Sequence, residues 1–346
     1  MDYATEFQLK LSKEPIKHRL RLLQFQYQRI KHRLRLQQFD RELCNRSAES
    51  MITVPPSLQP PPYKYRDYQG PWIEDYFYKF WVKNRLQSHL TYLPIFFDGF
   101  FLHSQTHKYT PREFEHIYNQ MQQVLQDVHD DRGYFTILGM YDFPIWDWHK
   151  FPKNVLVFSA NGGGDIPIPL VKGNPPFDCP SKEILVSFMG NLGGSSNRGG
   201  VRQRMYEALK DLAYFGQGPH WRSVMEKSIF TLCPRGLGRA SFRLYEALSV
   251  GSIPIYIWDD MEWLPYQDVV DWSQIIVSVH VDKLNQIPKL VKGHSEADIR
   301  DKQQRIKKLY NRFFTFDAVC ENIVRMLEQF QTMDQILQIT QCRRYE

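Results

Sequence analysis

Residues 232–258 read LCPRGLGRASFRLYEALSVGSIPIYIW, two apolar runs separated by a loop and a short helical pattern. The loop carries Arg235 and Arg239 with glycines at 236 and 238, and Arg243 follows in the first helical turn. Ser241 is a natural N-cap for a helix beginning at Phe242, and Gly251 suits the left-handed position that ends one. Near-continuous apolar strands on either side predict a parallel sheet buried on both faces. The arginine-rich loop then lies at a helix N-terminus, over the C-terminal edge of that sheet, where open α/β sheets bind ligands. Backbone N–H groups, the helix dipole and three guanidinium forks all favour an anion there. Gly236 and Gly238 allow close approach of the backbone. Glu246 shares a helix face with Arg243, placed to accept hydrogen bonds from ribose hydroxyls. In outline this is a diphosphate-and-ribose pocket.

The surrounding sequence repeats the strand–loop–helix pattern. ILVSFMG (184–190) reads as a strand, LGGSSNRGG (192–200) as a Gly/Ser loop and VRQRMYEALKDLAYF (201–215) as an amphipathic helix. Earlier, YLPIFFD (92–98), GYFTILGM (133–140) and NVLVFSA (154–160) read as strands. The stretch 111–131 reads as a helix capped by Thr110, with Pro111 at its first position. Alternation of this kind is the mark of α/β lobes. The expected division is a basic extension at 1–51 and a Pro-rich connector at 52–71. A first lobe at 72–175, a second at 182–315 and terminal helices at 316–346 follow.

The chain has 346 residues, 42% hydrophobic, with a formal net charge of +6. Eleven Lys/Arg against six acids in residues 1–50 account for nearly all of that excess. The body is close to neutral, which argues against a nucleic-acid-binding core. The basic segment holds IKHRLRLLQF (16–25) and IKHRLRLQQF (30–39), repeated at an offset of two heptads. A basic amphipathic helix of this type contacts a membrane surface, RNA or a partner, while a duplicated, solvated extension is the plainer reading. Five scattered cysteines form no CxxC or Cys/His cluster, so neither zinc nor a disulfide framework is expected. No run reaches the roughly 18–20 apolar residues of a membrane span, and the N-terminus lacks signal-peptide order. A cytoplasmic protein is the expectation, with Golgi association left open. The absence of a GxxxxGK[ST] loop speaks against a P-loop nucleotide hydrolase.

CPRGLGRASFRLYEALSVGSIPIYIWDD resembles the signature of the exostosin family, glycosyltransferase family 47. GPWIEDYFYKFW, TYLPIFF, NVLVFSANGGGDIPIPL and ILVSFMGNLGGSSNRGGVRQRM resemble further family segments in the expected order, over roughly residues 70–320. The resemblance implies a GT-B fold, two Rossmann-like lobes with a cleft between them; family members usually carry an N-terminal membrane anchor, and with no such apolar run in this sequence an anchorless form is the expectation. It also implies inverting sugar transfer from a nucleotide-sugar, UDP by the family's habit, to a hydroxyl of a glycan or glycoprotein. Donor contacts would fall on residues 235–241 and Glu246, with Arg198 or Arg202 adding phosphate contacts. The final helices would cross back to the first lobe.

In such a transfer the leaving nucleoside diphosphate gathers negative charge, which fixed arginines and a helix N-terminus stabilise. No metal cofactor is therefore expected to be required. Asp259 and Asp260 are assigned to the border of the sugar pocket, and Asp165 to a donor-sugar contact. The general base belongs on the first lobe. Asp142 is the leading candidate, with Asp147, His149 and Asp98 as alternates; where many relatives carry a "G.DH" motif this chain has YDFP. A catalytically inactive exostosin-like module that binds glycan or protein is the alternative reading.

Overall fold

The computed structural model describes residues 50–59, 69–107, 109–129, 131–139, 151–173, 181–193 and 198–342. The basic repeat, residues 60–68 of the Pro-rich connector and the base candidates Asp142, Asp147 and His149 lie outside the described residues.

The first lobe is built on a four-stranded parallel sheet in the order β1-β2-β3-β4. Its strands are β1 (Thr91–Tyr92), β2 (Tyr134–Leu138), β3 (Val155–Ser159) and β4 (Ile166–Pro167). Helices α1 (Ile73–Asn84), α2 (Phe97–His107) and α3 (Pro111–Gln126) belong with it. Thr110 caps α3 as expected, in a reciprocal capping box with Glu113. Phe77 and Trp81 of α1 pack on Tyr92 and Phe135 of the sheet, the last two stacked with ring centroids 4.9 Å apart.

Two expectations for this lobe need correction. YLPIFFD is not one strand: pairing stops at Tyr92, and a helix starts at Phe97. The cause is tertiary, because the buried Glu74 carboxylate accepts from the N–H groups of Asp98 and Gly99. Glu74 thus caps a helix that starts more than twenty residues further along the chain, which no local pattern reveals. The described part of the connector is not a free spacer either. Ile52 N–H and Tyr92 N–H bond to the carbonyls of Tyr92 and Ser50, and Val54 and Leu58 enter the core.

The second lobe holds a five-stranded parallel sheet in the order β6-β5-β7-β8-β9. Its strands are β5 (Ile184–Met189), β6 (Tyr214–Gly216), β7 (Ser228–Pro234), β8 (Ile253–Trp258) and β9 (Val277–His280). The helices between them are α4 (Val201–Leu209), α5 (Trp221–Glu226) and α6 (Phe242–Ser249). The expected helix 201–215 is therefore shorter: it ends at Leu209, and 214–216 pairs with Ser187–Met189 as an edge strand. After β9 come α7 (Ile287–Lys292), α8 (Glu296–Phe313), α9 (Phe316–Leu327) and α10 (Met333–Cys342).

The last two helices lie against first-lobe elements. Tyr76 of α1 stacks on Phe316 with centroids 4.8 Å apart and donates its hydroxyl to Asp317 at 2.7 Å. Thr340 donates to the carbonyl of Lys153 at 2.7 Å, just before β3. The result is two α/β lobes, each built on a parallel sheet, with the final helices reaching back to the first. Among the described residues no helix is long and apolar enough to cross a membrane.

Candidate functional site

The strand order places β5 and β7 side by side although the chain visits β6 between them. It is the flavodoxin-like order, whose crevice lies at the first/third-strand switch point, beyond the carboxyl ends. Here those ends are Met189 and Pro234. The loops leaving them, 190–200 and 235–241, lead directly into α4 and α6.

The backbone at the start of each helix suits that role. Gly199 and Gly200 have φ of +66° and +69°, a left-handed pair before α4 that a side chain would strain. Ser241 caps α6, its hydroxyl accepting from the N–H of Arg243 at 3.2 Å. Gly251, at φ +64°, follows the helix end as the sequence indicates.

Arg202 ties the two loops together. Its Nη1 donates to the carbonyl of Asn191 at 2.8 Å and its Nε to the carbonyl of Arg235 at 3.2 Å. Arg235 is buried, and its Nη1 meets Asp259 at 2.6 Å and Asp260 at 3.3 Å. Its Nε also donates to the carbonyl of Gly238 at 3.2 Å. Arg239 pairs with Asp260 at 2.9 Å. Burial alone would raise the Asp260 carboxyl, but the Arg239 hydrogen bond and charge, with Arg235, hold it below its ordinary value. Three guanidinium groups thus stand with two carboxylates, a formal excess of one positive charge. Asp259 and Asp260 sit on this arginine loop as ion-pair partners. The side chain of Arg198 is not among those described, although its backbone opens the turn before α4.

The glycines 236 and 238 play different parts. A Cβ at Gly238 would collide with the side chain and backbone carbonyl of Asn161, so that glycine serves the approach of the two lobes. A Cβ at Gly236 would meet nothing nearer than 3.6 Å. Across the same junction, Arg239 N–H donates to Asn161 O, Arg239 Nη1 to Gly162 O and Trp263 Nε1 to Ser159 O. Gly162 has φ +110°, and a Cβ there would lie 2.7 Å from the Cβ of Arg239. The arginine loop is therefore docked on the carboxyl end of β3.

One helical turn inside, Glu246 is buried between two cations. Arg243 Nη1 lies 2.8 Å from Oε2 as an ion pair without hydrogen-bond alignment, so Oε2 has no hydrogen-bond donor. Lys172 Nζ lies 3.2 Å from Oε1 and 4.7 Å from the centre of the Phe242 ring. Arg243 also stacks over Trp221 at 5.1 Å.

Residues 163–293, which include the arginine loop and α6, match the Exostosin GT47 domain. That match is narrower than the resemblance over 70–320, and begins within the glycine run docked on Arg239. A "Probable glucuronosyltransferase" of Oryza sativa subsp. japonica is 38% identical over 139 residues, covering 34% of this chain and 32% of that protein. Exostosin-1b of Danio rerio is 31% identical over 118 residues, covering 34% of this chain and 15% of that protein. The chain spans about a third or less of the length of these relatives. The crystal structure of Anabaena HepE in complex with UDP aligns at TM-score 0.40 and 10% identity, covering 73% of this chain and 82% of that one.

The remaining described candidates are Asp165 and Asp98. The Asp165 carboxylate accepts from the N–H of Val157 at 2.7 Å, along the edge of β3. Asp98 is buried in the first turn of α2, beside Glu74 and against Gly139 at the end of β2. Burial and the neighbouring Asp98 charge raise the Glu74 carboxyl well above its ordinary value, against the opposing backbone N–H donors. Sequence reading missed Lys172, Asn161 and Trp263. The NGGG run at 161–164 signalled a close backbone approach, whereas Lys172 stands in a segment without periodicity and gave no signal.

Proposed function

We propose that the chain is an inverting glycosyltransferase that moves a sugar from a UDP-sugar to a hydroxyl of a glycan. The observation that carries this reading is the switch-point crevice, where the N-termini of α4 and α6 converge beside Arg202, Arg235 and Arg239. The exostosin GT47 match and relatives named as glucuronosyltransferases support a nucleotide-sugar as the ligand.

In this mechanism the diphosphate lies across the two helix N-termini, and Glu246 receives the ribose hydroxyls. The helix dipoles and the arginine excess stabilise the charge that develops as UDP departs, so no metal is required. A first-lobe base takes the acceptor proton, and we assign that role to Asp142. Attack from the face opposite the leaving group inverts the anomeric centre.

The alternative, an inactive glycan- or protein-binding module, has one observation in its favour: Arg235 and Arg239 already hold carboxylate partners. Calorimetry with UDP, GDP and UDP-sugars, without metal and then with Mn²⁺, separates the two. The transferase reading expects selective UDP binding without metal, lost in Glu246→Gln and weakened in Arg239→Ala. Absence of nucleotide binding in both conditions would reject it.

A further inference from the structure

We propose that Lys172 is a positioning residue of the nucleotide site, which turns Glu246 toward the ribose hydroxyls; this rests on the UDP reading above. The buried Glu246 carboxylate presents two unlike oxygens. Oε1 is held by the Lys172 ammonium at 3.2 Å. Oε2 has Arg243 at 2.8 Å but no aligned hydrogen-bond donor. A buried carboxylate oxygen in that state has acceptor capacity that a hydroxyl fills well.

The two cations come from different parts of the chain. Arg243 rises from the first turn of α6, the same helix as Glu246, and moves with it. Lys172 arrives from the segment that leaves β4 and leads out of the first lobe. That segment is anchored on its inner side, since Ile168, Leu170 and Val171 are buried. The Lys172 ammonium also lies over the Phe242 ring at 4.7 Å, so its stem is held on the first residue of α6. Removing its charge leaves the carboxylate with Arg243 alone, and the group swings toward that guanidinium. Oε2 would then be consumed by an aligned ion pair and lost to the ligand.

The effect should appear on the ribose and not on the phosphates. The test is calorimetric binding of UDP, 2′-deoxy-UDP and 3′-deoxy-UDP to the full chain and to three variants: Lys172→Met, Lys172→Gln and Lys172→Arg. Gln keeps a polar side chain over Phe242 should Met fail to fold. The unaltered chain is expected to prefer UDP by about tenfold over at least one deoxy analogue, as for a hydrogen bond to a charged group. In Met and Gln that preference should shrink to within about twofold, with Lys172→Arg restoring most of it. Full preference in a folded Met or Gln variant would overturn the positioning role while leaving the UDP reading intact. UDP binding without any ribose preference would overturn it too, and absence of UDP binding would remove both readings together.

Discussion

Arg239 Nη1 donates to the carbonyl oxygen of Gly162 at 2.8 Å, and the same guanidinium pairs through Nε with Asp260 at 2.9 Å. One side chain thus joins the loop after β7, the turn after β8 and the end of β3. The arginine loop is a junction between lobes as well as a charged surface.

That junction requires glycine at 238. Substitution Gly238→Ala places a methyl group against Asn161 side chain and backbone together, and backbone cannot step aside cheaply. The expected cost is about 1–3 kcal/mol. Urea unfolding should show a lower midpoint, and Gly236→Ala, with open space at its Cβ position, should show a much smaller change.

Arg235 is buried and supports two acids. In Arg235→Met, Asp259 and Asp260 lose that partner, and Asp259 is left partly buried. Removing one member of a fully buried pair costs about 3–5 kcal/mol. Solvent reaches both carboxylates here, so roughly 2 kcal/mol is expected. Denaturant titration measures it, and the double variant with Asp259→Asn should recover part of the loss.

Glu74 gives a pH dependence of definite sign. Its carboxyl is raised well above 4.5 in the folded chain, so the native state holds a proton that the unfolded chain releases. The stabilisation is complete below the unfolded value and is lost as pH rises toward the folded one. The slope reaches at most about 1.4 kcal/mol per pH unit. Thermal unfolding of Glu74→Gln across the window above about pH 4.5 should lack this decline.

Cys233 and Cys320 are free, buried thiols, each pushed far above the ordinary thiol range, chiefly by burial. Neither should react with iodoacetamide in the native chain, and both should react in denaturant. Mass spectrometry of the labelled protein reads the outcome.

Much of the second lobe was legible from one stretch of sequence. Ser241, Gly251 and the apolar runs around them specify a helix and two strands through local capping and periodicity, which depend on near neighbours alone. The grouping of Arg235, Arg239, Arg243 and Glu246 was legible for the same reason, since they stand on one loop and one helical turn. Tertiary structure alone decided the rest. The α2 start at Phe97 depends on a carboxylate from Glu74, and the short strand 214–216 exists because β5 offers it an edge. The pairing of Arg235 with Asp259 and of Glu246 with Lys172 joins residues far apart along the chain. Such partners are chosen by burial and charge balance in three dimensions, which no period along the chain records.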